Sequence, residues 1–318
     1  MIFQEPFRER LKKKNYYVCC NHINMKRFFS VIIPFYKQSE QLAKTLNLFS
    51  KQDVENDNYE IIVVNDGTPG YSFSEQLKHC TNLPRNLQLL NITHAGSGVA
   101  RNFGAKNAKG DFLIFCDADR MPCHSFVYSY MEAIQKFPDS RNVFVGHVKE
   151  SYALNDDMDD YNIMTSFSRD NQYYRKILNI YDNDLSHSSI RWASLLAGNM
   201  CISKSLFEEV GGFDPQFNKW GFEHFDLGVR LVEKNIEFIN VKNAVNFHIP
   251  HSKAKDEYFK LFDESTHILN QKYPHYNQKF TCLSEYLKGN MSLQKFEKIF
   301  SGTTNERTIP IKEVYYYL

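Results

Sequence analysis

Three short apolar runs, each closed by polar and turn-forming residues, constrain this chain more than any other feature. They are residues 28–35 (FFSVIIPF), 60–64 (EIIVV) and 111–116 (DFLIFC). Each is apolar at consecutive rather than alternate positions, the pattern of a strand covered on both faces, as in a parallel sheet between helices. Between them, residues 38–50 place Leu42, Leu46, Leu48 and Phe49 at helical spacing, and 98–108 read as a second helix. Residues 87–92 read as a further strand. This alternation predicts βαβ units and an α/β fold with a Rossmann-like, mostly parallel sheet flanked by helices.

Ligands of such sheets bind outside the carboxyl ends of the strands. The polar clusters fall at those ends: Tyr36-Lys37, Asn65-Asp66-Gly67 and Asp117-Ala118-Asp119. Asp117 and Asp119 are separated by one alanine, and two carboxylates so close repel unless a cation lies between or beside them. A divalent ion with oxygen ligands, Mn2+ or Mg2+, answers that need and completes its shell from substrate phosphates. The plainer reading is a solvated turn with an Asp cap before Met121-Pro122. Asp66 is placed to read a base or ribose, or simply makes an Asn-Asp-Gly turn. Residues 94–102 (HAGSGVARN) join a glycine-bearing loop to a helix start, where backbone N–H groups can approach phosphate and Arg101 adds charge.

Composition narrows the function classes. Thirty-eight Lys and Arg against 37 Asp and Glu, a net charge of +1, give no bulk electrostatic basis for nucleic-acid binding. Seven cysteines without framework spacing read as reduced thiols of a cytoplasmic protein. No apolar run is long enough to span a bilayer, and no apolar signal core precedes Phe28. Arg8 to Lys14 (RERLKKK) could touch an anionic surface, at most a peripheral contact at the inner face of a membrane, or is a solvated terminus. Abundant Asn, Lys, Ile, Phe and Tyr suit a bacterial source of low GC content.

Four segments, in order, resemble the signatures of the family 2 glycosyltransferases, which have the GT-A fold. They are 31–36 (VIIPFY), 62–68 (IVVNDGT), 98–104 (GVARNFG) and 115–119 (FCDAD), within a similarity that runs over roughly residues 28–250. The resemblance implies a nucleotide-sugar donor, often UDP-linked, and inversion at the anomeric carbon. It places Pro34, Tyr36 and Asp66 at the nucleoside, Arg101 near the nucleotide, and Asp117, Ala118 and Asp119 at the ribose and metal. It also divides the chain into a polar extension over 1–27, a GT-A domain over 28–255 and a small helical C-terminal appendage over 256–318. Within the domain, 28–120 is the nucleotide half and 121–255 the acceptor half.

Downstream, 198–200 (GNM) with 211–214 (GGFD) resembles the segment lining the donor sugar and acceptor. Residues 220–231 (WGFEHFDLGVRL) resemble the acidic helix start of galactosyl- and N-acetylhexosaminyl-transferring relatives, where a Glu-Asp pair supplies the base. His224 stands here where that Asp would be. Inverting transfer needs a base within hydrogen-bond reach of the acceptor hydroxyl, and Glu223, His224 and Asp226 are the candidates, Glu223 ahead of His224. Glu223 and Asp226 could share a helix face, or Asp226 simply pairs with Arg230 four residues on. In many relatives a His near the end of this region completes the metal shell, and His251 or His248 fits that place.

The reading is an inverting hexosyl- or N-acetylhexosaminyl-transferase; glycan, lipid-linked, protein and small-molecule acceptors all stay open. The alternatives are a nucleotide-sugar-binding protein that has lost its base and a nucleotidyltransferase. The latter expects a glycine-rich basic loop after the first strand, where this chain has Tyr36-Lys37-Gln38-Ser39-Glu40.

Overall fold

The computed structural model describes residues 28–301 except 79, 81, 154–160, 219–220, 250–254 and 277. The polar extension and His251 therefore lie outside the described residues. The three apolar runs form β1 (Phe29–Phe35), β2 (Tyr59–Asp66) and β4 (Phe112–Cys116), every residue of them buried. With β3 (Leu87–Ile92) they make a parallel block in the order β3-β2-β1-β4. Helices α1 (Ser39–Phe49), α2 (Phe73–Leu77) and α3 (Ser97–Asn107) supply the connections. Gly104 lets α3 lie close on the sheet, since a Cβ there would meet Ile32 Cγ2 at 2.6 Å.

Beyond β4 the sheet continues through strands that run both ways. They are β5 (Arg120–Pro122), β6 (Asn142–Ser151), β7 (Ser168–Asp170), β8 (Asn199–Ser203) and β9 (Glu237–His248). The order is β3-β2-β1-β4-β8-β6-β9-β5, with β7 on β6. β8 is antiparallel to β4 and to β6, β9 is parallel to β6, and β5 is antiparallel to β9. Thus β1, β2, β3, β4, β6 and β9 share one direction, and β5, β7 and β8 oppose it.

Four local features are set by strand pairing rather than by local sequence. Met121-Pro122 belong to a short strand rather than following a helix cap, because β5 finds a partner in β9. Residues 142–151, read as no element, form a ten-residue strand whose polar positions Lys149 and Glu150 hid its period. Residues 161–177 form two short helices rather than one, α5 (Tyr161–Ser166) and α6 (Gln172–Ile177), because β7 between them pairs with β6. Residues 237–248 form one long strand, β9, which absorbs an irregularity in its pairing opposite Val145 and His147.

Apolar layers cover both sheet faces. One packs under α1 and α4 (Phe126–Lys136); the other packs under α3, α7 (Lys204–Glu209) and α8 (Glu223–Glu233). α8 is apolar on two sides. Leu227 and Leu231 face the sheet, while Phe225 and Val229 join Trp192, Phe262, Phe280 and Phe296 in a third core. That third core is built from α9 (Lys255–Lys272), α10 (Thr281–Leu287) and α11 (Leu293–Ser301), so the C-terminal helices are packed onto the helix that carries Glu223. Among the described residues no helix is long and apolar enough to cross a membrane.

Candidate active site

The loops after β2 and β3 are tied together at Asp66. Its Oδ1 accepts from the Ala95 N–H at 2.8 Å and its Oδ2 from the Gly96 N–H at 3.0 Å. Gly67 has φ +70°, and a Cβ there would fall 2.5 Å from the His94 nitrogen, so only glycine permits this approach. Tyr36 stacks on His94 with centroids 4.2 Å apart. Pro34 is buried within β1 opposite Val64, at the strand end from which Tyr36 leaves. Asp66 is thus a buried brace for this corner, and Tyr36 its partly open aromatic surface.

Arg101, buried on α3, joins the two halves of the molecule. Its Nη2 donates to Asp117 Oδ1 at 2.6 Å and its Nη1 to Glu223 Oε1 at 3.0 Å. Its guanidinium lies 5.4 Å from the Phe213 ring centroid. Burial opposes charge on Asp117, but Arg101 and then Arg120 outweigh it and hold its carboxyl below the usual range. Gly198 makes room for this group, since a Cβ there would sit 2.2 Å from Asp117 Oδ2.

Asp117 and Asp119 take separate partners, with cationic groups beside Asp117. Asp117 is neutralised by the two arginines, whereas Asp119 Oδ2 accepts from Gln38 Nε2 at 2.8 Å and lies 3.9 Å from His248 Nε2. The buried Ala118 between them is pinned through its carbonyl, which accepts from Thr45 Oγ1 at 2.7 Å. The turn therefore sends the two carboxylates to different partners.

Among the described residues no group of three or more His, Cys, Asp or Glu side chains converges as a metal cage. Asp119 and His248 nevertheless fit a divalent ion as a two-residue set, because β5 and β9 place Arg120 opposite His248 and bring the imidazole to the Asp119 carboxylate. Such an ion takes the rest of its shell from water and phosphate, and an imidazole donor favours Mn2+ over Mg2+.

At the start of α8, Phe222 has φ +72°, a left-handed conformation costly for a bulky residue, immediately before Glu223. Glu223 is buried, and while Oε1 accepts from Arg101, Oε2 has no partner among the described residues. A buried acceptor left unpaired costs about 1–3 kcal/mol, a cost that a substrate hydroxyl can remove. His224 beside it has its pKa pushed down to about 4 by burial, against an opposing pull from Glu223, so the imidazole is neutral near pH 7.

Asp226 is not brought to Arg101. It is fully buried among Arg230 (2.7 Å), Lys272 (2.7 Å) and the Tyr273 hydroxyl (2.7 Å), and Lys272 also pairs with Asp214. Arg230 in turn donates to the carbonyls of Val210 and Gly212. Asp226 therefore fixes α9 and the 211–214 turn to α8 and does not pair with Glu223. Asn199 is likewise turned inward, accepting from Tyr130 and donating to the carbonyls of His147 and Ala244.

Three residues outside the expected set reach the site. They are Gln38 on Asp119, Arg120 on Asp117, and Tyr174, whose buried hydroxyl lacks a partner among the described residues and feels the charges of Arg120 and Asp117. Arg120 could have been read from its spacing three residues after Asp117. Nothing in the sequence marks Tyr174.

The chain is similar to known glycosyltransferases in sequence and in fold. The glycosyl transferase family 2 model matches residues 30–195, just over half of the chain, and a model described as the N-terminal domain of galactosyltransferase matches 181–252. The uncharacterized glycosyltransferase YfnE of Bacillus subtilis is 24% identical over 255 residues, 70% of this chain and 64% of that protein. Chondroitin synthase of Escherichia coli is 24% identical over 278 residues, 79% of this chain and 39% of that protein. The chain thus spans less than two thirds of the length of these curated relatives. Among solved structures, Staphylococcus aureus TarS in complex with UDP-GlcNAc matches with a TM-score of 0.55 at 16% identity, over 75% of this chain and 65% of that one. GalNAc-T7 with UDP, GalNAc and Mn2+ matches with a TM-score of 0.55 at 17% identity, over 85% and 56%. The chain belongs to glycosyl transferase family 2, on a GT-A fold.

Proposed function

We propose that the protein transfers a hexose or N-acetylhexosamine, with inversion, from a UDP-linked nucleotide sugar to an acceptor hydroxyl in the bacterial cytoplasm. The observation that carries this reading is the Asp117–Arg101–Glu223 bridge, with the buried Glu223 Oε2 beside it lacking a partner among the described residues. TarS with UDP-GlcNAc and GalNAc-T7 with UDP, GalNAc and Mn2+ support the choice of donor. We place the donor half over 28–120, which carries Asp66, Arg101 and the Asp117–Asp119 turn, and the acceptor half over 121–255, which carries Glu223.

In this reading Tyr36 and Asp66 hold the nucleoside corner, with Pro34 shaping it. Asp119 and His248 are the metal ligands, with His251 a further candidate in the same region. A divalent ion bound there stabilises negative charge on the departing diphosphate. Arg101 holds Glu223 through Oε1 and so aims the carboxylate, and Glu223 Oε2 accepts the proton of the acceptor hydroxyl. The anomeric bond to the diphosphate breaks as the new bond to the acceptor oxygen forms on the opposite face. His224, neutral and half-buried, orients the acceptor rather than serving as base.

The test is UDP release from a panel of UDP-sugars with Mn2+, comparing wild type with Asp119→Ala. Metal-dependent release by the wild type is expected to be abolished in the variant. Full activity in the variant overturns the metal assignment. Tight nucleotide-sugar binding by the wild type with neither transfer nor slow hydrolysis favours a binding protein, the alternative that His224 raises.

A further inference from the structure

The sheet carries a row of side chains from the Asp119 corner to an open aromatic pair that nothing above has used. Residues paired across a sheet present their side chains on the same face. Arg120 of β5 is opposite His248 of β9, His248 is opposite Glu150 of β6, and Glu150 is opposite Arg169 of β7. Strands lie about 4.8 Å apart, so the row leads outward from the Asp119–His248 pair in steps of that size.

Two residues further along, past the Ser151–Ser168 pair, the Tyr152 N–H donates to the Phe167 carbonyl at 2.8 Å, which continues the register and sets Tyr152 opposite Phe167. Alternate residues of a strand share a face. Tyr152 and Phe167 therefore stand beside Glu150 and Arg169, and the contacts agree. The Tyr152 hydroxyl donates to Glu150 at 2.9 Å, Arg169 lies 4.7 Å over the Tyr152 ring, and Arg169 reaches Glu150 at 3.4 Å.

Glu150 is buried, and it also accepts from Asn171 at 2.6 Å, so the platform is held from below. The rings themselves are open, Tyr152 at 49% and Phe167 at 60% exposure, the two most exposed large hydrophobic side chains among the described residues. Paired aromatic rings left open beside a charged guanidinium suit a ligand that is itself two-faced, with an apolar C–H face and a rim of hydroxyls. A pyranose ring is such a ligand.

We propose that Tyr152, Phe167 and Arg169 form the acceptor subsite, and that the acceptor is a carbohydrate whose sugar ring stacks on this pair. This rests on the transferase reading above. It selects a glycan from among the acceptor classes left open, because a lipid or a flexible peptide does not match two fixed rings beside a guanidinium.

The test uses Tyr152→Leu/Phe167→Leu, which keeps apolar bulk at open positions but removes the flat faces. Transfer from the UDP-sugar identified above to oligosaccharide acceptors is expected to show acceptor KM raised roughly tenfold, with donor KM changed less than twofold. A second, activity-independent readout is binding of the labelled full-length protein to an array of immobilised oligosaccharides. Glycan binding by the wild type that the variant loses supports the subsite; equal binding by both, or none by the wild type, overturns it. An unchanged acceptor KM also overturns it. Glycan binding that is intact in a wild type releasing no UDP removes the transferase reading while leaving the subsite standing.

Discussion

Replacing Arg101 with Met tests the link between the two halves of the site. The side chain is only 5% exposed and is held by two carboxylates, Glu223 (6% exposed) and Asp117 (25% exposed). Methionine keeps much of the volume but removes every donor, so the cost is the stranding of two acids. Breaking a buried pair by removing one partner costs about 3–5 kcal/mol. The more open Asp117 keeps Arg120 and some solvent, so the Glu223 contact dominates, and the total should stay within that range. For a chain of this size that corresponds to a fall of about 4–8 °C in melting temperature.

Thermal unfolding of the wild type, Arg101→Met, Glu223→Gln and the double variant completes a cycle. With Glu223 neutralised, removing Arg101 strands one charge instead of two, so the double variant should melt above the temperature given by adding the single effects. Arg101→Lys should fall between, since an ammonium cannot span both acids as the planar guanidinium does. A melting temperature for Arg101→Met within about 1 °C of the wild type, or strict additivity in the cycle, refutes the bridge.

Glu223→Gln should lower transfer by about 10²–10⁴-fold while donor KM stays near the wild-type value, read from UDP release with and without acceptor; a matched loss of donor affinity would show that Glu223 only holds structure. Because burial pushes His224 down to about 4, it stays neutral from pH 5.5 to 8, and His224→Asn should leave the shape of the kcat profile over that range unchanged; loss of a limb near pH 6.5 in the variant contradicts this. Burial opposes charge on Asp214, but Lys272 holds its pKa below the ordinary value. That pair therefore stabilises the fold above the unfolded carboxylate pKa, near 4, and the contribution is lost as pH falls further. The melting-temperature gap between wild type and Lys272→Met should accordingly narrow from pH 6 to pH 3.5, and a gap that widens on acidification runs against the assignment.

The parallel block was legible because β1, β2 and β4 are buried on both faces, and burial on both faces leaves an unbroken apolar run in the sequence. The polar stops at Asp66 and Asp117 were legible for the same reason, since a strand must end where its backbone meets solvent and ligand. β6 was not legible: Lys149 and Glu150 sit inside it, and their place is set by β7 and β9 on either side. Nor could α5 and α6 be told from one helix, because β7 between them exists only by pairing with β6.

Sequence by itself determined that a parallel sheet would present Asp66 and Asp117-Ala118-Asp119 at one edge, and that Glu223 would open a helix. Tertiary structure alone decided what those acids do. It gave Asp117 to Arg101 and Arg120, Asp119 to Gln38 and His248, and Asp226 to Arg230 and Lys272. The physical reason is that a carboxylate's role follows from the cations and donors within about 3–4 Å of it. For Glu223 that partner lies 122 residues away along the chain, a distance over which no local pattern carries information.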